Sequence, residues 1–337
     1  MKNYNIRPSY DANRQVLGNI LPLDTPFTVI IDSSETCNFK CNYCFRSDKN
    51  KENWGYAKEP LLMQWDMFKQ IADQIKAFPQ KVKTISLSNH GEPLCNPTLP
   101  EMVKYLKDHQ VCERVSIHTN GSLLSEIMVK KLAESGIDKV VISLQGLTAE
   151  KYREICGTEI DYEKLVRQIT NLFNQKKNTK LFIKIADTAL DDNQEQQFYE
   201  RFSPIADGVY IEKIVPIWKN ISIINKKMQN KYGKTFPVQH CCPLIFHTLI
   251  ISPVGDIFPC TQLLTPHCLG NVAQTTVVDA WNSQQRLNLL IEQCENTQPT
   301  LCTDCYILQN TIISEADMID EYRHNIMSRL KLKYSKI

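Results

Sequence analysis

Ile31-Asp32-Ser33-Ser34-Glu35-Thr36-Cys37-Asn38-Phe39-Lys40-Cys41-Asn42-Tyr43-Cys44-Phe45 is the stretch that decides how this chain is read. It continues the apolar run Phe27–Asp32 and sets three thiols at C-x3-C-x2-C spacing, with an aromatic residue directly after the third. A cubane 4Fe–4S cluster holds four irons and ordinarily takes four thiolates. Three closely spaced cysteines can therefore ligate three irons and leave the fourth open to a chelating small molecule. The competing reading is a zinc knuckle, or three unrelated buried cysteines. Zinc prefers four ligands, usually supplied as two close pairs, and no partner pair lies near this stretch.

Outward from that segment, short β-rich runs alternate with helical patterns. Candidate strands are Phe27–Asp32, Val82–Ser88, Arg114–His118, Lys139–Leu144, Lys180–Ala186 and Gly208–Val215. Helical patterns occupy Met63–Phe78, Leu99–His109, Ser125–Ser135, Thr148–Glu154, Tyr162–Gln175 and Asn193–Phe202. Ile71, Ile75 and Phe78 share one helical face, as do Leu165, Ile169, Leu172 and Phe173. Such alternation implies an α/β fold with a parallel sheet and helices outside it. Six units are too few for a closed eight-fold barrel.

The strand ends are polar. One run ends in Asn89-His90-Gly91-Glu92-Pro93, the next in Thr119-Asn120-Gly121, and a third in Ser143-Leu144-Gln145-Gly146. Glycine lets backbone approach a ligand closely, and Ser143 and Gln145 alternate onto one face of a strand. Taken singly, each ending is equally an ordinary strand-to-loop turn.

Together these residues resemble the radical S-adenosylmethionine (SAM) enzymes. The resemblance implies a partial (βα)6 barrel with its chemistry at the C-terminal strand ends. It implies a 4Fe–4S cluster on Cys37, Cys41 and Cys44 whose open iron holds SAM, with Phe45 completing the signature. Gly91 and Glu92 then hold the SAM amino group, and Asn120, Ser143 and Gln145 border its ribose and methionine parts. Related enzymes often carry Asp where Gln145 stands. Arg153 falls where relatives place an arginine against the SAM carboxylate, for which a planar guanidinium is suited; the alternative is a solvated arginine on a helix face. Cys156, beside Gly157, is a candidate hydrogen-atom donor, against the plainer reading of a small buried hydrophobe.

Beyond His240 the composition changes. Cys241-Cys242-Pro243 precedes a β-like run Phe246–Ser252, a turn at Pro253-Val254-Gly255-Asp256, and Ile257-Phe258-Pro259-Cys260. This reads as a hairpin with a cysteine at each outer end. A C-x2-C pair, Cys302 and Cys305, follows later. Four thiolates from three regions can ligate a complete second cluster, although they suit structural zinc too. The arrangement resembles the twitch domain, the shorter relative of the SPASM domain. The resemblance implies one auxiliary 4Fe–4S cluster on Cys242, Cys260, Cys302 and Cys305, with Cys241 the rival to Cys242.

Thirteen cysteines in 337 residues are too dilute for a disulfide scaffold. No apolar stretch follows Met1-Lys2-Asn3-Tyr4-Asn5-Ile6-Arg7 as a secretory signal requires, so the expectation is a reducing, cytoplasmic setting. With 39 Lys and Arg against 37 Asp and Glu the formal charge is +2, and no basic run argues for nucleic acid. No stretch is long enough for a membrane span. The expected division is an N-terminal extension (1–26), a barrel (27–218), a linker or lid (219–240) and a C-terminal auxiliary region with a terminal helix (241–337).

For function, the resemblance implies reductive SAM cleavage to a 5′-deoxyadenosyl radical and hydrogen abstraction, fed by an electron donor such as flavodoxin or ferredoxin. The favoured substrate is a small sugar, polyol or aminocyclitol, dehydrogenated with the auxiliary cluster as electron acceptor. A peptide or protein maturase is the alternative, forming thioethers, epimers or formylglycine. A non-catalytic electron carrier is the third, and it leaves the polar strand tips without purpose.

Overall fold

Apolar side chains alternate along the strands and recur every three to four residues along the helices, so each element has one face to bury. The computed structural model describes residues 4–47, 61–217, 229–261, 267–295, 302 and 305–334. The strands are β1 (Thr28–Ile31), β2 (Val82–Ser86), β3 (Cys112–Thr119), β4 (Lys139–Leu144), β5 (Lys180–Ala186), β6 (Gly208–Glu212), β7 (Thr248–Ile251), β8 (Asp256–Phe258) and β9 (Gly270–Asn271). They form one sheet in the order β6-β5-β4-β3-β2-β1-β7-β8-β9. β1 to β6 are parallel neighbours in sequence order, the open six-unit α/β arrangement expected.

The crossover helices cover the outer face. Trp65–Ile75 buries Phe68, Ile71, Ala72 and Ile75, and Tyr162–Gln175 buries Leu165, Ile169 and Leu172. Ser125, Thr148 and Asp161 accept from the backbone N–H groups of Met128, Lys151 and Lys164 and so fix where three helices begin, each cap being worth about 1 kcal/mol. The inner face carries a separate small apolar layer of Val141, Phe182 and Tyr210 with Tyr232 against it. Two residues further along the same strands, Ser143, Lys184 and Glu212 share that face by period two.

The C-terminal hairpin differs from expectation in two respects. Leu244–His247 is a helical turn begun by Pro243, so the strand starts at Thr248 and not at Phe246. The hairpin also continues the barrel sheet: β7 pairs in parallel with β1, Thr28 opposite Thr248 and Ile31 opposite Ile251, and β8 returns antiparallel. Without β7, the apolar β1 would be an unpaired edge, which proteins avoid.

Of the expected 219–240 linker or lid, residues 219–228 lie outside the described residues. From 229 the chain turns about Asn230, whose Oδ1 accepts from the N–H groups of Tyr232 and Lys234. Lys213 N–H donates to the Lys231 carbonyl at 2.8 Å, which sets Lys231 beside the end of β6. The N-terminal extension pairs Ile6 with Val209 of β6, and its Leu17 and Leu21 pack with Cys241, Ile245, Leu287 and Leu330. Among the described residues no helix is long and apolar enough to cross a membrane.

Candidate functional site

A cavity of about 430 Å³ opens at the C-terminal ends of the parallel strands. The loop after β1 contributes Cys37, Cys41 and Cys44 to its wall; the β2 end contributes Gly91 and Glu92; β3 and β4 contribute Asn120, Ser143 and Gln145. The structure thus brings together most residues that the sequence singled out.

Their geometry shows how the wall is built. Gly91 lies so close to the loop before Cys37 that a Cβ there would sit 1.9 Å from the Ser34 carbonyl oxygen. Glu92 N–H donates to Thr36 O at 2.8 Å. The glycine therefore serves chain-to-chain approach, locking the β2 tip against the cysteine loop. Glu92 is buried, and its carboxylate accepts from Leu94 N (3.0 Å), Thr119 Oγ1 and Asn120 N (2.7 Å). Burial pushes it up to about 7 against those hydrogen bonds. Asn120 Nδ2 donates to Asn38 Oδ1 at 2.9 Å, and Asn38 Nδ2 donates to Ser122 Oγ. Tyr43 Oη donates to Gln145 Oε1. Asn38, Tyr43 and Ser122 were missed by sequence reasoning. They bind the cysteine loop to the strand tips, and nothing local in their sequence marks that role.

Three expected site residues lie elsewhere. Arg153 points outward, its side chain 60% exposed and paired with Glu159 at 3.0 Å, because it falls on the solvent side of the helix Ala149–Cys156. Phe45 is buried beside the cavity, packing edge-on against His90 with ring centroids 5.6 Å apart. Cys156 is fully buried behind the cysteine loop, with its Sγ 3.7 Å from Cys41 Sγ, and does not line the cavity. A thiol held there faces Cys41 and not the cavity wall where a hydrogen-atom donor would have to stand.

Among the described residues no three Cys, His, Asp or Glu side chains close around a single ion position. What Cys37, Cys41 and Cys44 share is a cavity wall, as a cluster-sized group requires. Burial pushes the Cys37 thiol up to about 12 and Cys44 to about 11. Cys41 is raised too, first through its contact with Cys156. Metal binding displaces the protons of such thiols, and three thiolates on one cavity wall fit an iron–sulfur cluster.

In the second cysteine set Cys242 and Cys260 are buried and Cys302 and Cys305 half-buried. Burial raises the Cys242 thiol, and the neighbouring sulfurs of Cys260, Cys302 and Cys305 raise it further, which places these four together. Gln293 organises them: its Oε1 accepts from Cys242 N at 2.8 Å and its Nε2 donates to Cys302 Sγ at 3.1 Å. Cys241 turns the other way, hydrogen-bonded to Cys294, with its N–H on Asp320 at 2.8 Å. His90 links the two regions. Its Nε2 donates to the carbonyl of Thr261, next to Cys260, at 2.8 Å, while its backbone N–H donates to Asp32.

A second cavity of about 470 Å³ shares Asn89, His90 and Lys231 with the first, and Pro243, Leu244 and Thr261 form part of its far wall.

Comparison with known proteins agrees with this geometry. Residues 31–188 match the radical SAM superfamily, and residues 241–306 match SPASM, an iron-sulfur cluster-binding domain. The tungsten-containing aldehyde ferredoxin oxidoreductase cofactor-modifying protein of Pyrococcus furiosus is 24% identical over 324 residues, 82% of this chain and 86% of that protein. A probable GTP 3′,8-cyclase of Methanococcus maripaludis is 37% identical over 119 residues, only 35% of this chain and 36% of that protein. In fold, the chain is similar to Streptococcus suis SuiB bound to SAM, with a TM-score of 0.63 and 16% identity over 87% of this chain and 74% of that one. It is similar also to BtrN in complex with SAM and 2-DOIA, with a TM-score of 0.55 and 17% identity over 86% and 96%. The three-cysteine loop at the mouth of a six-stranded parallel sheet, the second group of cysteines gathered by Gln293 and these matches together assign the chain to the radical SAM superfamily, with a C-terminal SPASM iron–sulfur domain.

Proposed function

We propose that this radical SAM enzyme dehydrogenates a small sugar, polyol or aminocyclitol. In this reading Cys37, Cys41 and Cys44 hold the SAM-cleaving 4Fe–4S cluster, and Cys242, Cys260, Cys302 and Cys305 hold one auxiliary 4Fe–4S cluster. SAM lies against the Gly91–Glu92 loop, Asn120, Ser143 and Gln145. The observation that carries the proposal is the pair of joined cavities. One is walled by the first three cysteines, and the other is walled by Pro243, Leu244 and Thr261, which flank Cys242 and Cys260. A substrate lying across their junction sits between initiator and acceptor.

Bound cofactors supply the reductive cleavage of SAM and the radical that takes a hydrogen atom from the substrate C–H. The chain supplies shape and order. Glu92 ties the β3 tip to the β2 tip, and Asn38 and Tyr43 hold the cysteine loop to β3 and β4. For a net oxidation of an alcohol to a carbonyl, a cluster held by Cys242, Cys260, Cys302 and Cys305 would supply the acceptor for the one electron that the substrate radical loses together with one proton. An electron carrier such as flavodoxin or ferredoxin primes the cycle.

The P. furiosus relative is named for modifying a cofactor and the M. maripaludis relative for cyclising GTP, which favours a small-molecule substrate. A peptide maturase is the second reading, favoured by the apolar side chains Leu244, Ile307 and Ile313 in the second cavity and by the likeness to SuiB bound to its precursor peptide, with a TM-score of 0.58.

The test compares the two cysteine groups. Cys41→Ala should reduce 5′-deoxyadenosine formation to background. A folded Cys302→Ala/Cys305→Ala variant should still form it, yet yield no oxidised product from a polyol or cyclitol panel. Product at the wild-type ratio to 5′-deoxyadenosine in that double variant would overturn the acceptor role.

A further inference from the structure

The inner wall of the first cavity carries charge that the SAM site does not use. Ser143 on β4 stands opposite Lys184 on β5, and Lys184 opposite Tyr210 on β6. Lys184 and Glu212 therefore rise from the same face as the apolar layer of Val141, Phe182 and Tyr210 beneath them. Lys184 Nζ is paired with Glu212 Oε2, and Lys231 Nζ lies 3.3 Å from Glu212 Oε1. Burial works to raise Glu212, but Lys184 and Lys231 overcome it and hold the carboxyl at about 2. Burial and Lys231 lower Lys184, while Glu212 raises Lys231 against its own burial. Among the described residues two lysines thus face one carboxylate, and with both protonated one positive charge is in excess.

Among the described residues the surrounding groups do not cancel it. His118, on the same wall and open to the cavity, is lowered first by desolvation and then by Lys184, Lys231 and Lys139, so it adds no positive charge. Glu92, the other carboxylate of the wall, is committed to Leu94, Thr119 and Asn120. Lys184 is mostly buried and Lys231 about a third exposed, at 18% and 36%. An excess charge held at such a wall is costly until a counter-charge arrives, and a pair of lysines is a suitable partner for phosphate or carboxylate.

We propose that Lys184 and Lys231, bridged by Glu212, form a subsite for an anionic group, phosphate or carboxylate, carried by the substrate. This rests on the functional reading above and narrows its substrate class. SAM also carries a carboxylate, but position argues for the substrate. The expected SAM contacts lie on the β2, β3 and β4 tips, whereas Lys231 stands across the cavity and lines the second cavity as well. Its backbone is fixed by the bond from Lys213 N–H and by the Asn230 turn. An anion there anchors a molecule that extends toward the second cavity and leaves its C–H bond over the cysteine loop. The amine of an aminocyclitol would have to face away from this wall.

The experiment uses iron-loaded protein with SAM present, under anaerobic calorimetry, and compares glycerol 3-phosphate with glycerol. The wild type should bind the phosphate ester and not glycerol. Lys231→Met should weaken that binding at least about tenfold, as loss of one partner of an enclosed charge pair does, and Lys231→Arg should largely restore it. Because Lys184→Met alone strands Glu212 and risks misfolding, Lys184→Met/Glu212→Gln is the second variant, again with at least about tenfold weakening. SAM affinity should hold in both. Equal phosphate binding in wild type and variants, or none in the wild type, overturns the subsite. Variants that lose SAM affinity but keep phosphate binding give the lysines to the SAM carboxylate and overturn it also. Failure of the functional reading has a different sign: wild-type protein that forms no 5′-deoxyadenosine, whatever anion it binds.

Discussion

Cys37, Cys41 and Cys44 are half-buried and line an open cavity; Cys242, Cys260, Cys302 and Cys305 line neither cavity, the first two buried and the last two half-buried. The sulfurs are the same, and the neighbours make the difference. The first group hangs on a loop pinned to three strand tips by Gly91, Asn38 and Tyr43. The second is gathered by Gln293 from the helix Gln284–Glu295, which bonds both Cys242 and Cys302. Metal sites that do chemistry keep a position free, whereas closed sites serve structure or electron transfer. Partner residues that orient ligands matter nearly as much as the ligands themselves.

Adjacent cysteines give the largest effect by which that contrast can be broken. Cys242→Ser should lower the iron content of reconstituted protein from about eight to about four per chain, since each cubane holds four irons. Cys241→Ser should keep about eight, because its thiol is occupied by Cys294. Gln293→Leu should fall between. It leaves the Cys242 N–H without its acceptor, at about 1–3 kcal/mol, and should hasten loss of the second cluster to a chelator without touching the first. Iron loss in Cys241→Ser but not Cys242→Ser would show the second group to be drawn wrongly.

A smaller effect sharpens the open side. Glu92 titrates at about 7 in the folded chain, against 4.5 for an ordinary glutamate, because it is buried. The folded state therefore holds a proton between these values that the unfolded state has released. Stability falls as pH rises from about 4.5 to about 7, by an amount on the order of 3 kcal/mol. Anaerobic thermal melts of iron-loaded protein across that window should show the decline, and Glu92→Gln should flatten it. The same slope in Glu92→Gln would assign the titration to another group.

The six strands and their helices were legible because burial on two faces imposes periodic apolar patterns, and these survive in Ile71, Ile75, Leu165 and Ile169. The cysteine loop was legible because its spacing is local. What escaped was non-local. β7 joins β1 across more than two hundred residues, and no local pattern states which edge a hairpin will extend. The bonds of the Glu92 carboxylate to Thr119 and to the backbone of Leu94 and Asn120 left no local trace, because they form only when β2 and β3 meet. Lys184 left one trace, a lysine inside the otherwise apolar run Leu181-Phe182-Ile183-Lys184-Ile185, where a buried strand ordinarily has none.

The smallest expected effect concerns Arg153, and it checks where the open site ends. If the site is bounded by the strand tips and the cysteine loop, the outer side of the helix Ala149–Cys156 lies beyond it. Arg153 is then a surface residue paired with Glu159, and both partners are largely exposed, at 60% and 80%. Such pairs contribute between about 0 and 1 kcal/mol, since solvent screens them and side-chain entropy opposes them. Arg153→Ala should therefore shift the melting temperature little and leave SAM affinity within about twofold, less than the tenfold step of about 1.4 kcal/mol. The inner side of the same helix packs through Tyr152, Ile155 and Cys156, so Ala there would report packing and not binding. Tenfold weaker SAM binding in Arg153→Ala, with the cluster intact by its absorbance, would mean that this helix swings its arginine over the cavity when SAM arrives. The open side would then be closed by its ligand, and the contrast with the cysteines gathered by Gln293 would be one of timing as well as of architecture.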